Sequence, residues 1–184
     1  MLKNRIANPV VRGLLEWVFS IGLALLLFFI LRMYVFRVAH VSGNSMLPTL
    51  HDGDRVILNR AAVVFGQPRV GDIVAFPYPN NPSDHYIKRV IGVSGDIVDL
   101  IEGRVIVNGQ PLEDAFSQVL ILPSSSGNVH FPVTVEEGRV FVLGDNRNGS
   151  KDSRYASVGN ILNQDIIGRV FIRIWPMGSL GQVD

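Results

Sequence analysis

The sequence predicts a mostly β protein: an antiparallel sheet or barrel-like domain preceded by one transmembrane α-helix. Three observations carry that expectation. Residues 14–31 form an apolar run of eighteen residues in which only Glu16 is charged; at about 1.5 Å per residue it just covers the roughly 30 Å hydrocarbon layer of a bilayer. Beyond residue 37, short β-type runs alternate with Gly, Asn, Asp and Pro, the punctuation of strands and turns. No later stretch sustains the 3.6-residue apolar period of an amphipathic helix.

The flanks of the apolar run fit a membrane span. Trp17 at one end, and Tyr34 with Phe36 at the other, suit the interfacial aromatic belts. Arg32 and Arg37 can snorkel to the surface. A cleaved secretory signal is the competing assignment, but its apolar core is usually about 7–15 residues long and ends at a small-x-small site. Cleavage after Ala39 would put Arg37 where a small residue is needed. An uncleaved anchor is therefore expected. Lys3, Arg5 and Arg12 precede the run and Arg32 and Arg37 follow it, a mild bias toward a cytoplasmic amino terminus. Residues 1–36 then form a short cytoplasmic tail and the anchor, and residues 37–184 an extracytoplasmic β-rich domain.

Within that domain, strands are expected at 55–58, 72–76, 86–93, 97–100, 104–107, 140–143 and 167–174. Glu102-Gly103 and Asn108-Gly109 are hairpin-turn pairs. Residues 110–138, with Pro and a Ser-Ser-Ser-Gly run, read as a small excursion or hairpin. The alternatives for function narrow by composition. Net charge is +1 in 184 residues, which argues against a nucleic-acid partner. There are no cysteines, so disulfides, thiol catalysis and thiolate metal sites are excluded. The histidines at 40, 51, 85 and 130 lack metal-ligand spacing. No cofactor or metal is expected. Fourteen arginines stand against three lysines, Lys3, Lys88 and Lys151. Arginine keeps its proton in a protein, whereas a buried lysine can lose it.

Two segments then pair a nucleophile with a base. Ser42-Gly-Asn-Ser-Met-Leu-Pro-Thr-Leu50 offers a hydroxyl shortly after the apolar run, and Tyr86-Ile-Lys-Arg-Val-Ile-Gly-Val-Ser-Gly-Asp96 offers a lysine among apolar strand residues. A serine activated by a neutral lysine is a known form of nucleophile–base pair. Strand alternation puts Lys88 on one face with Tyr86 and Val90, and Ile87, Arg89 and Ile91 on the other. A solvated lysine beside Arg89 is the bland alternative. A Ser–His–Asp arrangement through His85 and Asp84 is a rival, but neighbours on a strand point to opposite faces and cannot easily form the base–orienter pair.

With a third segment, Gly144-Asp-Asn-Arg-Asn-Gly-Ser-Lys-Asp-Ser-Arg154, and the Gly53-Asp54-Arg55-Val56 strand entry, the chain resembles the type I signal peptidases, membrane-bound Ser/Lys endopeptidases that remove signal peptides from exported proteins. The likeness spans most of residues 14–175. It implies Ser45 as nucleophile and Lys88 as general base. It implies that Ser150 hydrogen-bonds the Lys88 amine, and that Asp145, Asp152 and Arg154 form supporting ion pairs. The Ser45 backbone N–H is the implied oxyanion donor. Some members add a serine hydroxyl two residues before the nucleophile; here Gly43 holds that position, so a side-chain donor there is in doubt. Ser94 replaces the usual proline and is expected to alter only a turn. Lys151 reads as solvated and incidental.

Val41, Met46, Leu50, Tyr86 and Ile87 fall at matching positions for pockets that take small residues one and three places before the cut. The implied partners are exported preproteins with Ala-x-Ala-like ends and the lipid bilayer. The nine residues from Phe36 to Ser45 reach at most roughly 30 Å, which keeps the serine near the bilayer. A cell membrane is expected, with a thylakoid membrane also open. Two other readings remain: a specialised peptidase that matures a single partner, and a catalytically inactive tethered module that binds exported chains.

Overall fold

The computed structural model describes residues 9–116 and 119–183, which fall into two compact units divided between Val35 and Phe36. The first unit is the helix α1, Pro9–Val35. Its residues Val10–Phe29 form a twenty-residue span with mean hydropathy 1.9, somewhat earlier than the sequence run suggested. Leu14, Trp17, Phe19, Leu25 and Phe28 are all exposed on it, as expected of a helix solvated by lipid rather than by a protein core. The charge of Glu16 is met by Arg12 at 3.0 Å, one turn away. Lys3 and Arg5 lie outside the described residues, as do the side chains of Arg32 and Tyr34.

Among its described residues the second unit has twelve strands: β1 Phe36–His40, β2 Arg55–Asn59, β3 Ile73–Tyr78, β4 Asn81–Val93, β5 Ile97–Ile101, β6 Arg104–Val107, β7 Gln110–Pro111, β8 Val133–Thr134, β9 Arg139–Leu143, β10 Ile161–Leu162, β11 Gly168–Trp175 and β12 Gly181–Gln182. One sheet runs β1-β2-β11-β3-β4-β9-β10, with β12 added on β11; a smaller sheet runs β7-β6-β5-β8. Every pairing is antiparallel. The seven expected strands all exist. β1 precedes the first expected strand, and 110–138 contributes β7 and β8 to the smaller sheet.

Alternation on β3 divides the core. Ile73 and Ala75 pack with Val41, Met46, Leu50, Val56 and Leu58 on one face. Val74 and Phe76 pack with Val90, Val140, Val142 and Ile161 on the other. A third cluster joins Ile91, Phe141 and Leu143 to Val98 and Val105 of the smaller sheet. Each is the product of a period-two pattern in which a one-residue slip would turn the apolar set outward. Ser94 sits in a turn, accepting the Gly138 N–H at 2.9 Å.

Both hairpin turns have the expected chemistry. Glu102 and Gly103 have φ of 50° and 77°, and Asn108 and Gly109 have φ of 52° and 77°, matching the twist of the strands they join. A Cβ at Gly109 would meet no atom, so substitution there isolates backbone strain. Gly109→Ala is expected to cost about 1 kcal/mol, measured by urea denaturation.

Candidate active site

Two long-range features of the sheet create the site. β9 pairs with β4 only over residues Arg89 to Val93, while β3 covers His85 to Arg89 on the other side. From Lys88 back to Ser83, β4 therefore has an edge unpaired by any strand among the described residues. Against that edge lies a cleft of about 520 Å³ lined by residues 40–46, 83–88, Gly149 and Lys151.

In the cleft, Lys88 Nζ lies 2.6 Å from Ser45 Oγ. The amine also donates to the Ile87 carbonyl at 3.1 Å. Lys88 is only 3% exposed, and burial pushes its pKa down to about 8 from 10.5. The Asp152 and Asp145 carboxylates pull the other way, and Arg154 adds to the lowering. Desolvation prevails because each carboxylate already has an arginine. Asp145 takes Arg89 through two bonds of 2.8 Å and accepts the Thr49 hydroxyl at 2.5 Å. Asp152 takes Arg154 through two bonds of 2.8 Å and accepts the Gly144 N–H at 3.0 Å. Arg154 spends its remaining donors on the carbonyls of Ser125, Arg147 and Ser150.

The nucleophile loop is tied to the polar segment. The Asn146 N–H donates to the Ser45 carbonyl at 3.1 Å, and its side-chain amide donates to the Asn44 carbonyl at 3.0 Å. Gly144 is needed for this approach: a Cβ there would collide with Ser150 and with the Ser45 carbonyl. The Ser45 backbone N–H has no acceptor among the described residues. The Gly43 N–H is used by Asp52 Oδ1 at 2.8 Å, so Gly43 supplies no free donor.

Several expected contacts fall differently. Ser150 is buried beside Gly144, but its hydroxyl has no partner among the described residues. The expected bond to Lys88 is not formed; the amine is held by Ser45 and Ile87. Val41, Met46, Tyr86 and Ile87 line the cleft. Leu50 does not; it is fully buried in the core cluster that also holds Met46. His85 sits within β4 at the exposed cleft rim rather than at a strand start. Arg89 is no solvated neighbour of Lys88 but a buried partner of Asp145. Lys151 donates to the Tyr78 hydroxyl at 2.9 Å. Arg89, Thr49, Asn146 and Tyr78 carry no local sequence signal for these contacts, since each partner is far away along the chain.

A family model described as "Signal peptidase, peptidase S26" matches residues 14–175. The chain belongs to the signal peptidase family. It is 39% identical over 178 residues to a signal peptidase I of Leptolyngbya laminosa, covering 92% of this chain and 84% of that protein. It is 35% identical over 184 residues to the signal peptidase IB of Staphylococcus aureus, covering 91% of this chain and 93% of that one. A crystal structure of a signal peptidase I from Enterococcus faecalis, 30% identical, superposes on 56% of this chain and 96% of that one with a TM-score of 0.47. The chain is a serine endopeptidase of this family, and its apolar amino-terminal helix suits a membrane-anchored member.

The pairing of Arg89 with Asp145 sets an expectation for stability. Asp145→Ala leaves the Arg89 guanidinium buried without its counter-charge, which costs about 3–5 kcal/mol. Arg89→Met in the same chain is expected to restore part of that loss, as read from chemical denaturation of the single and double variants.

Proposed function

We propose that this protein removes N-terminal signal peptides from exported preproteins, with Ser45 as nucleophile and Lys88 as general base. The observation that carries the reading is the 2.6 Å separation of a buried Lys88 amine and the Ser45 hydroxyl at the end of an open strand edge.

The unpaired edge of β4 suits an extended peptide, which adds as a strand and gains main-chain hydrogen bonds. Side chains of that peptide alternate between the faces of the sheet. Those on the Ile87 side meet Val41 and Met46, which leave room for small residues one and three places before the cut. An Ala-x-Ala-like end has that pattern. The neutral Lys88 amine accepts the Ser45 proton as Oγ attacks the scissile carbonyl. The unpaired Ser45 N–H donates to the oxygen that gains negative charge. Lys88 then gives its proton to the leaving amide nitrogen as the C–N bond breaks. An acyl-serine remains, and a water deprotonated by Lys88 hydrolyses it. Ser150, buried at the site with an uncommitted hydroxyl, holds the amine once Ser45 has turned toward the substrate. Asp145, Asp152 and Arg154 fix the walls around the lysine.

The membrane supplies the remaining context. α1 anchors the chain with its amino terminus in the cytoplasm, and the β domain works outside it. Phe36, Val38, Phe171 and Trp175 are exposed on β1 and β11, with the Phe36 and Phe171 rings 6.5 Å apart. Such exposed apolar side chains suit contact with a lipid interface.

The pH dependence follows from the lowered pKa. The base works deprotonated, so kcat/KM is expected to rise with pH and reach half its maximum near 8. Lys88→Arg is expected to abolish cleavage of a preprotein, because guanidinium cannot accept the proton. A profile flat from pH 6 to 10, or an active Lys88→Arg protein, contradicts this mechanism.

A further inference from the structure

The face of β4 opposite the small-residue pockets carries an unexpected cation. Alternation places Asp84, Tyr86 and Lys88 on that face. The Tyr86 ring is stacked on Tyr78 with centroids 4.7 Å apart and planes 7° apart. Lys151 closes the stack: its ammonium donates to the Tyr78 hydroxyl at 2.9 Å and sits 5.1 Å from the centre of the Tyr78 ring. A lysine side chain normally spreads over many rotamers; this one is held at its tip. The hydrogen bond to Tyr78 pushes its pKa up, so the charge is kept. An ammonium has three donors. One is taken by Tyr78, and Lys151 lines the same cleft as Ser45 and Lys88.

An extended peptide beside residues 83–88 that sends its first and third residues before the cut toward Val41, Met46 and Ile87 must send the second to the opposite face. We propose that Lys151, held by Tyr78, reads the substrate residue two places before the cut and favours an acidic side chain there. This rests on the signal-peptide reading of the site and extends it from the two small residues to the one between them. Asp84 does not compensate the cation at that position. It lies four residues from Lys88 along β4, beyond Tyr86, and accepts the Asn81 amide at 3.0 Å.

The test is cleavage, by the full-length protein in detergent, of three preprotein-derived peptides that differ only at the residue two places before the cut: Glu, Gln or Lys. The wild type is expected to rank them in that order by kcat/KM, with Glu over Lys by about two- to fivefold, the scale of exposed ion pairs. The ratio shrinks at high salt. Lys151→Arg retains the order, and Lys151→Glu, an exposed substitution checked by its melting curve, reverses it. Equal rates for the three peptides with the wild type, or the same order in Lys151→Glu, overturn the proposal while leaving the Ser45 and Lys88 assignment intact. Absence of cleavage that Ser45→Ala abolishes, for all three peptides, overturns both.

Discussion

An amine can serve as a base near neutral pH only where water is excluded and no free carboxylate claims its proton, and these demands conflict in a polar site. Lys88 is buried with two carboxylates close enough to pull its pKa upward. The conflict is resolved by giving each carboxylate an arginine through paired hydrogen bonds. Guanidinium matches a carboxylate two donors to two acceptors and does not deprotonate, so these charges cancel whatever the pH at which Lys88 titrates. Burial then dominates. The same lowered pKa is a stability cost below about pH 8. Between that pH and the ordinary lysine value the unfolded chain binds more protons than the folded one, so stability rises there with pH.

The sheet delivers this electrostatic arrangement through alternation and through one strand that stops early. Lys88 and Arg89 are neighbours, yet they face opposite sides of β4. One reaches Ser45, while the other reaches behind the sheet to Asp145. β9 leaves β4 at Leu143, and the chain turns through Gly144, where absence of a side chain lets the Ser45 loop close on Ser150. The polar segment that follows therefore does two jobs. Its arginine–carboxylate pairs set the field around Lys88, and its Asn146 hydrogen bonds hold the nucleophile loop. The unpaired remainder of β4 is left as the place where a substrate strand can add.

What could be read from the sequence is what depends on near neighbours. Strands such as β3, β4 and β9 announce themselves by β-branched runs, and the Glu102-Gly103 and Asn108-Gly109 turns by residues that tolerate positive φ. Two-residue strands such as β7, β8, β10 and β12 exist only through tertiary pairing and carry no period to detect. β1 was hidden because Phe36 and Arg37 read as the flank of the apolar helix, and Phe36 and Val38 are exposed. Ser45 and Lys88 were legible as residue types in distinctive segments. The partners of Arg89 and Lys151 were not, since they lie 56 and 73 positions away. Leu50 was placed in the cleft from its segment alone, whereas packing with Val56, Leu58 and Ile73 buries it in the core. Ser150 was expected on Lys88, and the geometry gives that amine to the Ile87 carbonyl instead.

With only three lysines in the chain, Lys88 can be followed directly by NMR of lysine carbon-labelled full-length protein, assigned by loss of its signal in Lys88→Arg. The ε-carbon shift of Lys88 should titrate with a midpoint near 8. A midpoint at the ordinary lysine value of 10.5 would mean that the amine is charged where the enzyme works, and would contradict the account.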